Sequence, residues 1–488
     1  MVTLGIDVGT SSVKVLGVDE AGGVVGFSSA PYATPRKARG VERDPEAWWA
    51  AVCMAVRDCL KQDGVAPSEV AAVGFSGHMS SVVLVDRESQ VVRPALLLSD
   101  PQGFAELGGV SGELRSRIEA ETHNPLNTAF SIAKLLWLKE NAPADLDRAA
   151  AWFTAKDYVR LLFTGAVATD PTDAYNSLLL DPHTYEWRWD WIDALALPSQ
   201  LFPPLGESVG VAGGVTGSAA AETGLAEGTP VVTGAADMAC AAIGSGTIHE
   251  GQLGISLGTS TTVIAPLETS EFAPEWQAKL TYHPLPDPYG QYALASLLTG
   301  GLALNWIRSL GGANIGDIES VTPDDSRQLI FLPHLSGSGT PEFDSHMRGT
   351  LLGISPQTSM RDIAMALFEA IAFDLRRVMD LLNTGTTDKV RVSGGGANIG
   401  PWMQVITDVI GFPVEVVRYK EVSALGAASL AAAGSKAPSE SSEAVVGRVQ
   451  VEETYHPRTE HSAAWEKRFR RYSDALRTSR EYYHRWRQ

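Results

Sequence analysis

Asp7-Val8-Gly9-Thr10-Ser11 sets a carboxylate two residues ahead of a Gly-Thr-Ser bend. Ser256-Leu257-Gly258-Thr259-Ser260 repeats the bend about half of the 488-residue chain later, with a hydroxyl where the first copy has the carboxylate. Both copies follow an apolar Leu-Gly-Ile run and lead into a second β-branched run, Val13 to Val18 and Thr261 to Ala265. Glycine and hydroxyls at such a bend leave backbone N–H groups free to point into a gap, where phosphate oxygens can sit. A carboxylate in one copy only suits a magnesium–nucleotide complex, because the metal takes oxygen ligands while the other phosphate oxygens take neutral donors. The pair predicts two similar domains clasping the phosphates of ATP. Asp7 is then the metal-side carboxylate, and Thr10, Ser11, Gly258 and Thr259 belong to the phosphate turns. An ordinary hairpin with Asp7 as a turn residue would explain one copy, but not its duplicate.

Two further places could do chemistry. Gly394-Gly395-Gly396-Ala397 lies between a strand and a helix, where missing side chains let a flat or anionic group approach the backbone. No downstream strand and acidic residue follow at dinucleotide spacing, so the cluster reads as an adenosine-binding wall. Asp237 stands after the short strand Pro230 to Gly234, at the first turn of an Ala-rich helix. It could cap that helix. It could equally accept a proton from an alcohol attacking a γ-phosphate.

The elements that must position these residues are legible in outline. Val2–Val8, Val13–Asp19 and Val24–Ala30 read as an antiparallel meander closed by Glu20-Ala21-Gly22-Gly23. Asp44-Pro45-Glu46 opens a helix that buries Trp48, Val52, Val56 and Leu60. Val70–Ser76 and Val82–Asp86 are strands, and Ser131 to Glu140 is a helix with Trp137 on its buried side. Helix alternating with strand after a meander is a mixed-sheet α/β pattern. Ala424 to Ala433 is a small-residue helix able to sit tightly on a sheet. Gly434 to Glu443 reads as a surface loop, and Trp465 to Gln488 as a basic amphipathic capping helix.

Bulk properties narrow the class. A formal net charge of −18 argues against nucleic acid or an anionic membrane surface as main partner. Cys53, Cys59 and Cys240 show no metal-ligand spacing and make a poor disulfide framework. No apolar run has membrane-span length, which gives a cytoplasmic expectation.

The motifs taken together resemble the FGGY family of carbohydrate kinases, most closely its xylulokinase branch, from Gly5 to about Tyr472. One signature runs through Gly349-x-Leu351-x-Gly353-Ile354, Asp362-Ile363 and Ala366-Leu367-Phe368-Glu369. The other, Ser131-x-x-Lys134-Leu135-x-Trp137-Leu138-x-Glu140, departs only at its first position, Ala129. Glu42-Arg43-Asp44-Pro45, Lys156-Asp157-Tyr158 and Thr169-Asp170-x-x-Asp173-Ala174 extend the similarity. The resemblance implies an α/β fold of two actin-like (ribonuclease H-like) domains around a central cleft. The expected boundaries are 1–247 for sugar and one phosphate turn and 248–488 for ATP, and a homodimer is a family-level expectation. It also implies Asp7 in the magnesium and phosphate region, Gly394 and Gly395 beside the adenosine, and Asp237 as catalytic base. Substrate contacts are implied at His78, Met79, Ser80, Asp100 and Asp237.

The substrate segment departs from the pattern. Gly77-His78-Met79-Ser80-Ser81 stands where xylulokinases read Gly-Gln-Met-His-Gly, and Leu98-Ser99-Asp100-Pro101-Gln102 stands for Trp-x-Asp-x-Arg. Gln102 lacks the charge and planar fork of arginine. Met238 follows the expected base where Asn is usual, and Ser338-Gly339 replace Glu-Arg. The expected reaction is ATP-dependent phosphorylation of a ketopentose such as xylulose. Another ketose, a deoxysugar or a polyol stays open, as do an actin-like ATPase and a non-catalytic sugar sensor. His78 could also simply satisfy a nearby backbone carbonyl.

Overall fold

Leu4, Ile6 and Val8 alternate along the first strand, and all three are buried to 1% or less. That period-two pattern drives Val2–Val8 into the middle of a sheet. In the computed structural model it pairs antiparallel with Ser12–Asp19, which pairs antiparallel with Val24–Pro31, so the expected meander forms. On its other side it pairs in parallel with Val70–Gly77. The structure describes residues 1–488 except 33–35, 38–39, 63, 268–272, 274–275, 312–317, 325–327, 383–386, 436–448 and 486–488. Most of the loop expected over 434–443 therefore lies outside the described residues.

The chain divides into two compact units. The first comprises Met1–Ile248, Tyr282–Tyr292 and Glu421–Val449; the second comprises His249–Thr281, Ala293–Lys420 and Gln450–Gln488. In the first, the sheet runs Val211–Gly214, Pro230–Val232, Val70–Gly77, Val2–Val8, Ser12–Asp19, Val24–Pro31. Glu46–Gln62 covers one face with Trp48, Val52 and Val56 fully buried. Cys53 and Cys59 are buried on the same helix. The other face receives the Ala-rich helix Val422–Gly434, which packs on Val2–Val8, Val70–Gly77 and Asp237–Ser245. The approach is close because glycines line it. A Cβ at Gly5 would lie 1.9 Å from the Ala424 carbonyl oxygen, and one at Gly74 would lie 2.0 Å from that of Ala427.

A separate core within the first unit gathers Leu107, Ile118, Ile132, Leu135, Trp152, Tyr175 and Trp191. Ser131–Asn141 is a helix as expected, but Trp137 is only half-buried, covered by the Arg93 guanidinium at 5.1 Å. Lys134 is wholly enclosed there, along with Ile132, Leu135 and Leu138. Its ammonium donates to the carbonyls of Thr128 (2.5 Å) and Leu98 (3.4 Å), which is why a lysine can take the inward position.

The second unit repeats the central topology. Gln252–Leu257 pairs antiparallel with Thr261–Leu267 and parallel with Lys389–Ser393, which continues to Val414–Val417 and Val451–Tyr455. The basic C-terminal helix, Ser462–Arg485, buries Trp465, Arg468, Tyr472 and Leu476 within this unit. Arg468 donates to Glu369 at 2.9 Å and Tyr472 to Asp374 at 3.0 Å, so the helix caps its own unit. Among the described residues no helix is long and apolar enough to cross a membrane.

Candidate active site

In the first unit, three parallel strands end at one edge in register. Asp7 faces Ser76, Ser76 faces Ala235, and Gly77 faces Ala236. The next residues of the two outgoing chains are His78 and Asp237. The topology thus brings Asp7, His78 and Asp237 to the carboxyl ends of adjacent strands, where open α/β sheets hold their ligands. Gly234 makes this possible. Its φ of +82° turns the chain, and a Cβ there would meet the Phe75 carbonyl oxygen at 2.3 Å.

Asp237 is half-buried at the first residue of Asp237–Ser245, with Ala236 in the cap position. It is therefore not the capping residue; its Oδ1 accepts the adjacent Met238 N–H at 2.8 Å. Burial lifts its pKa well above the usual carboxylate range, and the charges of Asp7 and Asp173 add to the rise. Asp7 is half-buried too, and burial raises its pKa, opposed by a 2.9 Å hydrogen bond donated by Ser76. Two desolvated carboxylates, with the charge of Asp7 raising the cost of ionising Asp237, suit one metal-side ligand and one proton acceptor.

The turn beyond Asp7 is open. Thr10 and Ser11 are exposed, and the Gly9 N–H closes the bend on the Ser12 carbonyl at 3.1 Å. Arg43 donates to the Thr10 carbonyl at 3.1 Å and lies over the Tyr32 ring, whose hydroxyl donates to the Gly9 carbonyl. His78 is 2% exposed, with its ring edge against Trp48. Among the described residues neither of its nitrogens makes a well-formed hydrogen bond, although the Met79 backbone lies near enough to favour the charged ring. Burial and the Arg43 charge lower its pKa to about 4, which keeps the ring neutral. Met79 is half-buried, and Ser80 is buried with φ +62°. Asp100 is buried and accepts both the backbone N–H (2.8 Å) and the side-chain amide (3.1 Å) of Gln102.

In the second unit, Ser256 occupies the ladder position of Asp7, facing Thr262 on one side and Ser393 on the other. Gly258 donates to the Ser260 carbonyl at 3.0 Å, closing the bend one residue earlier than the Gly9–Ser12 bond does in the first copy. Gly301 and Leu302, opening the helix Gly301–Ser309, donate to the carbonyls of Gly258 and Thr259. Gly394, at φ +89°, packs on the Leu257 backbone, so the Gly258-Thr259 turn and the glycine cluster share an edge. Gly395 is exposed and faces open space. The donor sets fit the ligands read from the sequence. Asp7 offers a carboxylate oxygen, the hard donor type that a nucleotide-bound magnesium takes. Thr261 holds a buried hydroxyl with no partner among the described residues, just behind the second turn.

Residues no motif nominated also gather here. Lys156 places its ammonium 2.7 Å from Asp157, 2.9 Å from Asp170 and 3.1 Å from Asp173, all fully buried. Their similarity to the family was the only sequence signal, and it gave them no role. Tyr292 is fully buried, its hydroxyl unpartnered among the described residues, and its pKa is pushed far up by burial and by Asp237 and Asp173. His283 stacks on it at 5.4 Å. Nothing in the spacing around 282–292 marks these two residues.

Comparison with known proteins agrees over nearly the whole chain. The FGGY family of carbohydrate kinases matches through its N-terminal domain at residues 2–244 and its C-terminal domain at 253–435. A xylulose kinase of Bacillus subtilis (strain 168) is 31% identical over 441 residues, covering 88% of each chain. One of Escherichia coli (strain K12) is 30% identical over 474 residues, covering 95% of this chain and 96% of its own. The solved xylulose kinase of Rhodospirillum rubrum matches with a TM-score of 0.87 at 26% identity, covering 99% of this chain and all of its own.

Proposed function

The chain belongs to the FGGY family of carbohydrate kinases, and from that membership we propose that it phosphorylates a ketopentose such as xylulose, with Asp237 as general base. ATP-dependent phosphoryl transfer to a sugar hydroxyl, with a divalent metal, is the family's reaction. Xylulose is the substrate that the relatives' names give. We assign the metal as magnesium, held through Asp7, where it would neutralise charge on the transferred phosphate. Residues 1–247 carry the sugar contacts and the Thr10-Ser11 turn. Residues 248–488 carry the Gly258-Thr259 turn and the Gly394-Gly395 wall for adenosine.

The observation that carries the reading is the register that brings Asp7 and Asp237 to the carboxyl ends of adjacent strands, where burial also raises the pKa of Asp237. A carboxylate lifted out of its usual range is a better proton acceptor at neutral pH. Asp237 takes the proton of the sugar hydroxyl as its oxygen bonds to the γ-phosphorus; the bond to the β-phosphate bridging oxygen breaks and ADP leaves. His78, Met79, Ser80 and Asp100 orient the sugar, His78 as a neutral imidazole.

A second reading, another ketose, a deoxysugar or a polyol, is supported by one specific feature. Gln102, standing where an arginine is usual, is bonded to Asp100 through both its amides. The test is ADP release with MgATP across ketopentoses, deoxyketoses and polyols, with Asp237→Asn alongside. The variant is expected to lose about 10²- to 10⁴-fold in rate on the preferred sugar. Unchanged turnover would remove Asp237 from the chemistry, and sugar-independent hydrolysis throughout would favour an ATPase.

A further inference from the structure

Strand Ala235–Ala236 is two residues long, and it ends where Asp237 begins. So short an element cannot by its own ladder hold a catalytic carboxylate to a few tenths of an ångström. Something else must fix the peptide ahead of Asp237.

Thr172 reaches that peptide. The Ala236 N–H donates to Thr172 Oγ1 at 2.8 Å, and the same hydroxyl donates its one hydrogen to Asp170 Oδ2 at 2.6 Å. The hydroxyl has no second hydrogen, so with its proton on Asp170 only a lone pair can face Ala236. Asp170 is itself immobilised. Its Oδ2 also accepts from the Thr172 N–H (3.0 Å) and from Ser208 Oγ (2.8 Å), and its Oδ1 lies 2.9 Å from Lys156 Nζ. Lys156 is pinned in turn by Asp157 and Asp173. All of these groups are at most 5% exposed. The carboxylate polarises the hydroxyl, which strengthens the bond from Ala236. The same segment braces the incoming strand, because the Ser208 carbonyl accepts the Gly234 N–H at 2.9 Å.

We propose that Thr172 is a positioning residue for Asp237, its hydroxyl transmitting the rigid Lys156–Asp170 anchor to the peptide that precedes the base. The proposal rests on Asp237 being the base. An approach geometry relaxed by an ångström or less slows transfer without weakening nucleotide binding. A merely structural threonine would change stability and leave the kinetic constants of the folded enzyme alone.

The experiment measures kcat and the KM values for sugar and ATP in full-length Thr172→Val, Thr172→Ser and Asp237→Asn, and in the Thr172→Val/Asp237→Asn double variant, after thermal melts establish folding. Thr172→Val is expected to lower kcat about tenfold or more with KM for ATP unchanged, and Thr172→Ser to recover kcat to within about twofold. In the Asp237→Asn background, Thr172→Val should cost nothing further, since the group it positions is already gone. Wild-type kcat in folded Thr172→Val overturns the proposal. So does an undiminished tenfold cost in the Asp237→Asn background. Full activity of Asp237→Asn itself would instead overturn the base assignment. If Thr172→Val does not fold, Ser208→Ala decides, because it strips one donor from Asp170 and leaves the Thr172 hydroxyl in place. A fall in its kcat at constant KM for ATP upholds the proposal, and an unchanged kcat overturns it.

Discussion

Ser76 donates its hydroxyl hydrogen to Asp7 Oδ1 at 2.9 Å, across two parallel strands that hold the pair in register. That bond is the foremost influence opposing the rise that burial imposes on the Asp7 pKa. Without it the carboxylate binds its proton more tightly, and a metal must displace that proton. Ser76→Ala is therefore expected to raise the magnesium concentration for half-maximal rate about tenfold. The shift should be larger at pH 6 than at pH 8. Rate against magnesium at fixed ATP measures it; identical curves for both proteins would exclude Asp7 from metal binding.

Asp173 sets the pH response of its neighbour. It shares Lys156 with Asp157, yet the two move in opposite directions. Against burial, Lys156 and Arg160 together hold Asp157 low, whereas Asp173, pushed up first by burial and then by repulsion from Asp157 and Asp170, rises to about 7. Its charge contributes to the raised pKa of Asp237. Asp173→Asn removes that repulsion, so Asp237 should ionise more readily and the acid limb of kcat/KM should move to lower pH. Stability gives a second readout. Between 3.8 and about 7 the folded protein holds a proton that the unfolded chain has released, so wild-type stability falls as pH rises across that window. The variant lacks that loss, and its melting temperature relative to wild type should improve from pH 4 to pH 7.

The two Gly-Thr-Ser bends were legible in the sequence because they depend on local chemistry. Glycine and hydroxyls at a bend mean the same thing wherever the strand lies, and the duplicate at Ser256–Ser260 marked both copies. Asp237 was legible as a carboxylate at a strand end. Its elevated pKa was not, because that comes first from burial and then from Asp7 and Asp173, all set by parts of the chain far away in sequence. Trp137 was misplaced for a related reason. Hydrophobic type alone puts it inside, whereas Lys134 is enclosed on the same helix, its ammonium met by the carbonyls of Thr128 and of the more distant Leu98. Thr172 and Ser76 carried no signal at all. A lone hydroxyl acquires a role only from what the fold brings to it.

Acid should destabilise the first unit through its buried histidines. Burial lowers the pKa of His78 to about 4 and that of His283 to about 3. The unfolded chain takes up protons near pH 6.5, well before the folded one does. The stability this provides is fully present above 6.5 and is lost as pH falls toward the folded pKa. For His78 the loss amounts to about 3 kcal/mol once pH has dropped to the folded value. His78→Gln, which cannot titrate, should flatten the stability profile between pH 6.5 and 4, read by urea unfolding at each pH. A profile as steep as wild type would mean that the His78 ring is hydrated.

Gly74 tests whether the packing of the small-residue helix is obligatory. A Cβ there would stand 2.0 Å from the Ala427 carbonyl oxygen and 2.9 Å from its carbon. Both are backbone atoms of the Val422–Gly434 helix, so no side chain can swing aside. That helix also meets Asp237–Ser245, and Ser423 donates to the Asp237 carbonyl at 3.2 Å. Moving it by an ångström would disturb the base as well as the core. Gly74→Ala is expected to cost about 3 kcal/mol or more, at or beyond the upper end for an overpacked core. On a unit of this size that lowers the melting temperature by roughly 6 to 12 °C. Gly112→Ala is the matched control. Gly112 opens the helix Gly112–Thr122, has nothing within 4 Å of its would-be Cβ, and should lose nothing. If calorimetry gave the two variants equal melting temperatures, the helix would have room to retreat from the sheet, and the close approach would not be what holds it beside Asp237.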